Sequence, residues 1–282
     1  MRKLFAVVVL LLSVSQAKAD GILTFQSGSY TAVANPPGGD VQVFGIDDAG
    51  QLLVSTQNGP YLFSGGSYDL VNAFGAPTVL VFALSENGTI LGRYISGGTA
   101  TYFTEAGGVA HNLPSVGFLN NLNDHGQFIG TTFDGSGQFV YNSNTGSLSP
   151  TANGAIAIND LGQVLGYFQS SGYILSPDGS IISLNLPAGC RPQAFNDSDQ
   201  VAGNCFTNGK IQFNGFPYNN GTFTTINFNS SNTIISGIND SGEIVGFATN
   251  VPEPGTLFLC AFGFLIPIVR VRTAGLACNK FS

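Results

Sequence analysis

The sequence predicts an all-β protein, a six-bladed β-propeller of four-stranded repeats, and three observations predict it. A ten-residue motif built around Asn-Asp-x-Gly recurs six times at near-constant spacing. Between its copies runs a looser pattern of aromatic strand, glycine turn and second strand. Each end of the array is an incomplete repeat, and the two incomplete ends are complementary.

The motif reads GIDDAGQLLV from Gly45, ALSENGTILG from Ala83, NLNDHGQFIG from Asn121, AINDLGQVLG from Ala157, AFNDSDQVAG from Ala194 and GINDSGEIVG from Gly237, with starts 38, 38, 36, 37 and 43 residues apart. An apolar residue ends one short strand, Asn-Asp turns the chain, Gly supplies a positive φ, and an Ile/Val/Leu pair opens the next strand. The turn residues Asp48, Gly50, Asn87, Gly88, Asp124, Gly126, Asp160, Gly162, Asp197, Asp240 and Gly242 are therefore expected to be structural. Asp48, Asp124, Asp160, Asp197 and Asp240 are expected to accept N–H groups across their own turns, as Asx side chains do.

The second half of each unit reads PYLFSGGSYDLV from Pro60, ATYFTEAGGVAHNL from Ala100, QFVYNSNTGSLS from Gln138, GYILSPDGSIISL from Gly172 and FPYNNGTFTTINF from Phe216. Residues 22 to 33, ILTFQSGSYTAV, match this half and lack a first half, whereas the motif at Asp240 lacks a second. Joined, they complete a sixth blade and remove the exposed edges. A β-solenoid is the competing architecture. The strand pattern, with no amphipathic helix, excludes leucine-rich and helical repeats.

Composition narrows the function classes. Hydrophobic residues make up 43% of the 282, enough for a core, while 16 acidic against 9 basic residues leave a net charge of −7 and no basic stripe for nucleic acid. Residues 1 to 19, MRKLFAVVVLLLSVSQAKA, have the basic start, short apolar run and small residues of a secretory signal peptide cleaved after Ala19. The propeller domain is then 20–250. Residues 251–282 hold VPEPGTLFLCAFGFLIPIVRVR, in which residues 256–269 form a short apolar helix ahead of Arg270 and Arg272, suited to transient insertion in the inner membrane.

Pro252, Glu253 and Pro254, a short apolar helix and then arginines resemble the sorting tag of the PEP-CTERM proteins of Gram-negative bacteria. The resemblance implies that an exosortase, a membrane protease-transpeptidase, processes the chain, that its destination is the cell surface or the medium, and that exopolysaccharide is a candidate associate. Val271 between the arginines, Pro267 within the helix and ten trailing residues depart from the family pattern. The repeat resembles the HAF family of extracellular repeats, which implies export and carries no chemistry to transfer.

No catalytic set stands out, and no cofactor is called for. Cys190 and Cys205 lie at matching distance from the turn at Asp197 and Ser198, so a cross-hairpin disulfide and two separate buried thiols both remain open. His111 and His125 read as isolated surface residues. Calcium at the Asp-rich turns lacks alternating carboxylates, so no metal is assigned. A hydrolase would need two carboxylates converging at the channel from among Asp47, Asp48, Glu86, Asp134, Asp178 and Glu243. Tyr61, Tyr102, Tyr141, Tyr173 and Tyr218 recur in equivalent strands, where they form either a sugar-binding ring or blade packing. The expectation is a non-enzymatic exported surface or matrix protein, with a glycan-binding module and then a hydrolase as alternatives.

Overall fold

The computed structural model describes residues 18–206, 213–226 and 232–252. The predicted leader up to residue 17, the apolar segment 256–269 and the tail residues Glu253, Pro254, Arg270 and Arg272 lie outside the described residues. No helix among the described residues is long and apolar enough to cross a membrane.

The described residues form 24 strands in six antiparallel sheets of four. Strands β1 (Lys18–Gln26) and β2 (Ser29–Val33) come first. The first complete blade follows: β3 (Gln42–Ile46), β4 (Leu52–Thr56), β5 (Gly59–Ser64) and β6 (Ser67–Leu70). The second comprises β7 (Thr78–Leu84), β8 (Ile90–Ser96), β9 (Thr99–Ala106) and β10 (Val109–Asn112). The third runs through β11 (Phe118–Leu122), β12 (Gln127–Thr131), β13 (Gln138–Asn142) and β14 (Ser147–Thr151). The fourth has β15 (Ala155–Ile158), β16 (Val164–Phe168), β17 (Ser171–Leu175) and β18 (Ile181–Leu184), and the fifth β19 (Cys190–Phe195), β20 (Val201–Phe206), β21 (Phe213–Asn219) and β22 (Thr222–Phe223).

The remaining strands, β23 (Thr233–Ile238) and β24 (Ile244–Pro252), pair with the N-terminal two in the order β2-β1-β24-β23. This is the predicted completion of one blade from both ends. It rules out the open solenoid. The closing pair is longer than expected: Ala19 faces Val251 and Lys18 faces Pro252, so β1 starts inside the predicted leader and β24 runs past residue 250.

Burial follows blade interfaces. Six apolar clusters each join one blade to the next, as where Leu53 meets Val81, Ile90 and Phe103, or where Ile22 and Val245 meet Val43, Leu52 and Val54. A single blade could not bury both its faces, so the hydrophobic term stabilises the ring rather than its parts. Direct bonds add to this. Gln138 makes a two-way amide bridge to the main chain of Ala155, and Asn204 makes one to Ile235.

The glycine that ends five of the six motif copies has a packing role. Gly130 lies opposite Phe139 across the β12–β13 pair, and Gly203 opposite Phe216 across β20–β21. A Cβ added at Gly130 would sit 2.6 Å from Phe139 Cζ, and at Gly203 2.7 Å from Phe216 Cζ. At Gly92, Gly130, Gly166 and Gly203 an aromatic ring of the third strand fills the space a Cβ would take, whereas Gly246 lies opposite Leu23.

Candidate functional site

The six motif turns cluster at one end of the central channel. Their fourth residue takes a positive φ in every copy: Gly50, Gly88, Gly126, Gly162 and Gly242, with Asp199 at 56° in the unit that lacks glycine. Each turn is closed by the side chain of its first residue, not by that of its second. Asp47 Oδ1 accepts the N–H of Gln51 at 2.7 Å, and Asn123, Asn159, Asn196 and Asn239 accept the corresponding N–H at 2.9–3.0 Å. These first residues are buried.

The second residues therefore reach outward from their own turns, and the expected own-turn bonding is corrected. The N–H of Asp124 donates to Asp160 Oδ1 (2.7 Å), that of Asp160 to Asp197 (3.0 Å), that of Asp197 to Asp240 (2.9 Å) and that of Asp240 to Asp48 (2.9 Å). The N–H of Asn87 donates to Asp124 (3.0 Å), and Asp48 N–H donates to the Glu86 carbonyl (3.0 Å). A parallel belt of amides runs beneath. Asn123 Nδ2 donates to the Asn159 carbonyl, Asn196 to that of Asn239, and Asn239 to that of Asp47.

Glu86 is the irregular member. Its carboxyl takes no part in the chain of N–H donors, and its longer side chain brings an oxygen within 4.8 Å of those of Asp48 and Asp240 on one side and Asp160 and Asp197 on the other. Burial first, and then the charges of Asp240, Asp197, Asp160 and Asp48, push its pKa up to about 9. Asp160 is raised to about 6, again mainly by burial. A pKa of about 9 favours the protonated form of Glu86 at neutral pH. A hard cation is the other species such an oxygen set can bridge. His125, exposed at the rim, places Nδ1 3.8 Å from Asp160 Oδ1.

Behind the acidic ring lies a cavity of about 130 Å³. A β-bulge at one position in all six inner strands shifts the register there. It turns Phe44, Phe82, Asn120, Ile156, Gln193 and Ser236 toward the channel. Sequence reasoning missed this second ring, because a bulge shows only as a one-residue break in alternation just before the motif.

Other expected positions resolve plainly. Cys190 and Cys205 face each other across β19–β20 and are bonded. Asp134 and Asp178 are exposed, each bound to hydroxyl and main-chain donors of its own loop, and both have lowered pKa values, Asp134 to about 2. They do not reach the channel. Tyr141 and Tyr218 are buried, and Tyr61 and Tyr102 pack against interface clusters. These four tyrosines are blade packing, not an outward ring, and Tyr173 lies against Gly166 with its hydroxyl donating to the Asn153 carbonyl at 2.8 Å. Asn87 accepts from Thr89 within its own turn, so the ring member of that unit is Glu86.

No family model matches the chain, and no curated protein does. Among solved structures, TolB from Acinetobacter baumannii aligns with a TM-score of 0.52 at 11% identity, over 84% of this chain and 65% of TolB, so the chain spans less than two thirds of that protein. A structural-genomics protein of unknown function from Bacteroides thetaiotaomicron aligns at 0.48 and 11% identity over 82% and 76%. The β-propeller domain of Cps50 from Myceliophteria thermophila aligns at 0.37 and 11% identity over 83% and 97%. At such identities the likeness to TolB is one of fold, and the fold is a six-bladed β-propeller.

Proposed function

We propose that the chain is an exported surface or extracellular-matrix protein of a Gram-negative bacterium, sorted by an exosortase, in which the propeller is a non-catalytic scaffold associated with exopolysaccharide. The observation that carries this reading is the placement of the two chain ends. Strands β1 and β24 are the antiparallel inner pair of one blade, with Gly21 opposite Ala248 and Ala19 opposite Val251, so the first and last described strands end side by side in a single blade. A tail beginning at Pro252, Glu253 and Pro254 can then be held, cut or transferred without disturbing the other blades. The acidic ring opens at the far end of the channel, away from that attachment.

Two features support the reading. The Cys190–Cys205 disulfide suits an oxidising compartment. Five of the ring carboxylates, Asp48, Asp124, Asp160, Asp197 and Asp240, accept inter-blade N–H bonds, and the 130 Å³ cavity behind them is below the ~300 Å³ at which small-molecule sites begin. Both weigh against a carbohydrate hydrolase at this end.

The test is expression of the full chain and of a chain lacking residues 253–282 in a bacterium that has the sorting enzyme. The full chain should lose mass from its C-terminus and reach the surface or medium, while the shortened chain should not be sorted. An intact tail retained in the inner membrane would overturn the proposal.

A further inference from the structure

A groove of about 380 Å³ separates the first two blades at the end of the molecule opposite the acidic ring. The β4–β5 turn forms one wall and the chain leading from β6 into β7 the other. Its volume lies within the ~300–1,000 Å³ usual for small-molecule sites.

The chemistry of the walls is selective. None of the lining residues is ionisable. A phosphate, carboxylate or ammonium group would therefore lose water without gaining a partner of opposite charge. Hydroxyls of Ser55 and Thr78 and amides of Gln57, Asn58 and Asn72 stand along the groove beside apolar Val71 and Val79. The set offers many neutral donors and acceptors around an apolar strip.

Phe74 adds an independent observation. It sits in the loop that supplies Asn72 and Ala76 to the groove wall, in a turn closed by the Ala76 N–H donating to the Ala73 carbonyl at 3.0 Å. Its φ is 54°, a left-handed value that bulky residues avoid, and yet its side chain is 52% exposed. One side of the ring rests on Tyr94, with centroids 5.1 Å apart. Folding gains little from holding a large apolar ring in water on a strained backbone. Strain of this kind collects where a ligand is met.

We propose that this groove binds a neutral saccharide, with Phe74 of the flanking loop as a stacking platform and the amides and hydroxyls pairing with sugar hydroxyls. Sugars combine an apolar C–H face with a dense rim of uncharged donors and acceptors, which is the complement of what the groove presents. The inference gives the exopolysaccharide association proposed above a site, and it stands on the groove whether or not the tail is sorted.

The experiment uses the full chain purified in a detergent without a sugar headgroup, titrated calorimetrically with cellohexaose, laminarihexaose, maltohexaose and, as the acidic comparator, hexagalacturonate. At least one neutral probe should bind with a Kd below about 1 mM and little dependence on salt. Phe74→Gly, which removes the ring and relieves the backbone, should weaken it about tenfold or more while melting no lower than the parent. Asn72→Ala should weaken the same probe. Absence of binding by every neutral probe, preference for hexagalacturonate, or unchanged affinity in both variants would overturn the inference. Loss of binding reports on the groove, and loss of processing reports on the tail.

Discussion

The main-chain N–H of Asp240 donates to Asp48 Oδ1 at 2.9 Å across 192 residues of sequence. It is the bond at which the belt of turns meets its own beginning. The Asn239 side-chain amide reinforces it by donating to the Asp47 carbonyl at 3.0 Å. The last motif copy is thereby tied to the first independently of the closing sheet.

Asp48→Ala removes the acceptor and leaves the Asp240 N–H without its partner. Because Asp48 is exposed, water compensates in part, and the expected loss is about 1 kcal/mol, at the lower end for a charge-assisted bond. Urea unfolding should show a lower midpoint at unchanged m. Asp48→Asn keeps an acceptor and should recover part of the loss.

Gly130→Ala should cost about 1–3 kcal/mol, as overpacking does, because the new methyl meets Phe139. Gly65→Ala provides the control. A Cβ there meets nothing within 4 Å, so its cost is confined to a φ of 58° in an exposed turn. Thermal melting of the two variants should separate packing from backbone strain, and Phe139→Leu should relieve the Gly130 variant by making room.

The acidic ring predicts a sign for the pH dependence. Glu86 has a raised folded-state pKa, so the folded protein binds a proton that the unfolded chain releases from the ordinary value of 4.5 upward. Stability should therefore fall as pH rises from about 4.5 to about 9, with Asp160 adding to the slope up to about 6. Glu86→Gln cannot ionise and should flatten the profile above about 6, making the variant the more stable protein near pH 9. An unchanged profile would show that Glu86 is already ionised at neutral pH. Asp134 acts in a separate window, its contribution present above 3.8 and lost as pH falls toward about 2.

The disulfide joins residues separated by 15 in sequence. Replacing Cys190 and Cys205 together by serine should lower stability by up to about 3 kcal/mol, the chain-entropy value for a loop of that size. Denaturant curves with and without a reducing agent should move the parent protein and leave the double variant in place.

Much of the fold is legible in local chemistry. A positive φ after Asn-Asp demands glycine or an Asx residue, and strand pairs need apolar alternation, so turns and strands repeat visibly wherever blades repeat. The two half-units at the ends were enough to close the ring on paper, and the matched distances of Cys190 and Cys205 from their turn marked them as possible partners. Direction was not legible. Whether Asp124 bonds its own turn or its neighbour's depends on how blades lean together. That lean is set by side-chain packing between segments far apart in sequence. The convergence of Glu86 with Asp48, Asp240, Asp160 and Asp197 has the same origin, since oxygens from five blades meet only when the ring closes. Short-range sterics determined the units of this protein, and the long-range closure of the ring decided which of their polar groups face one another.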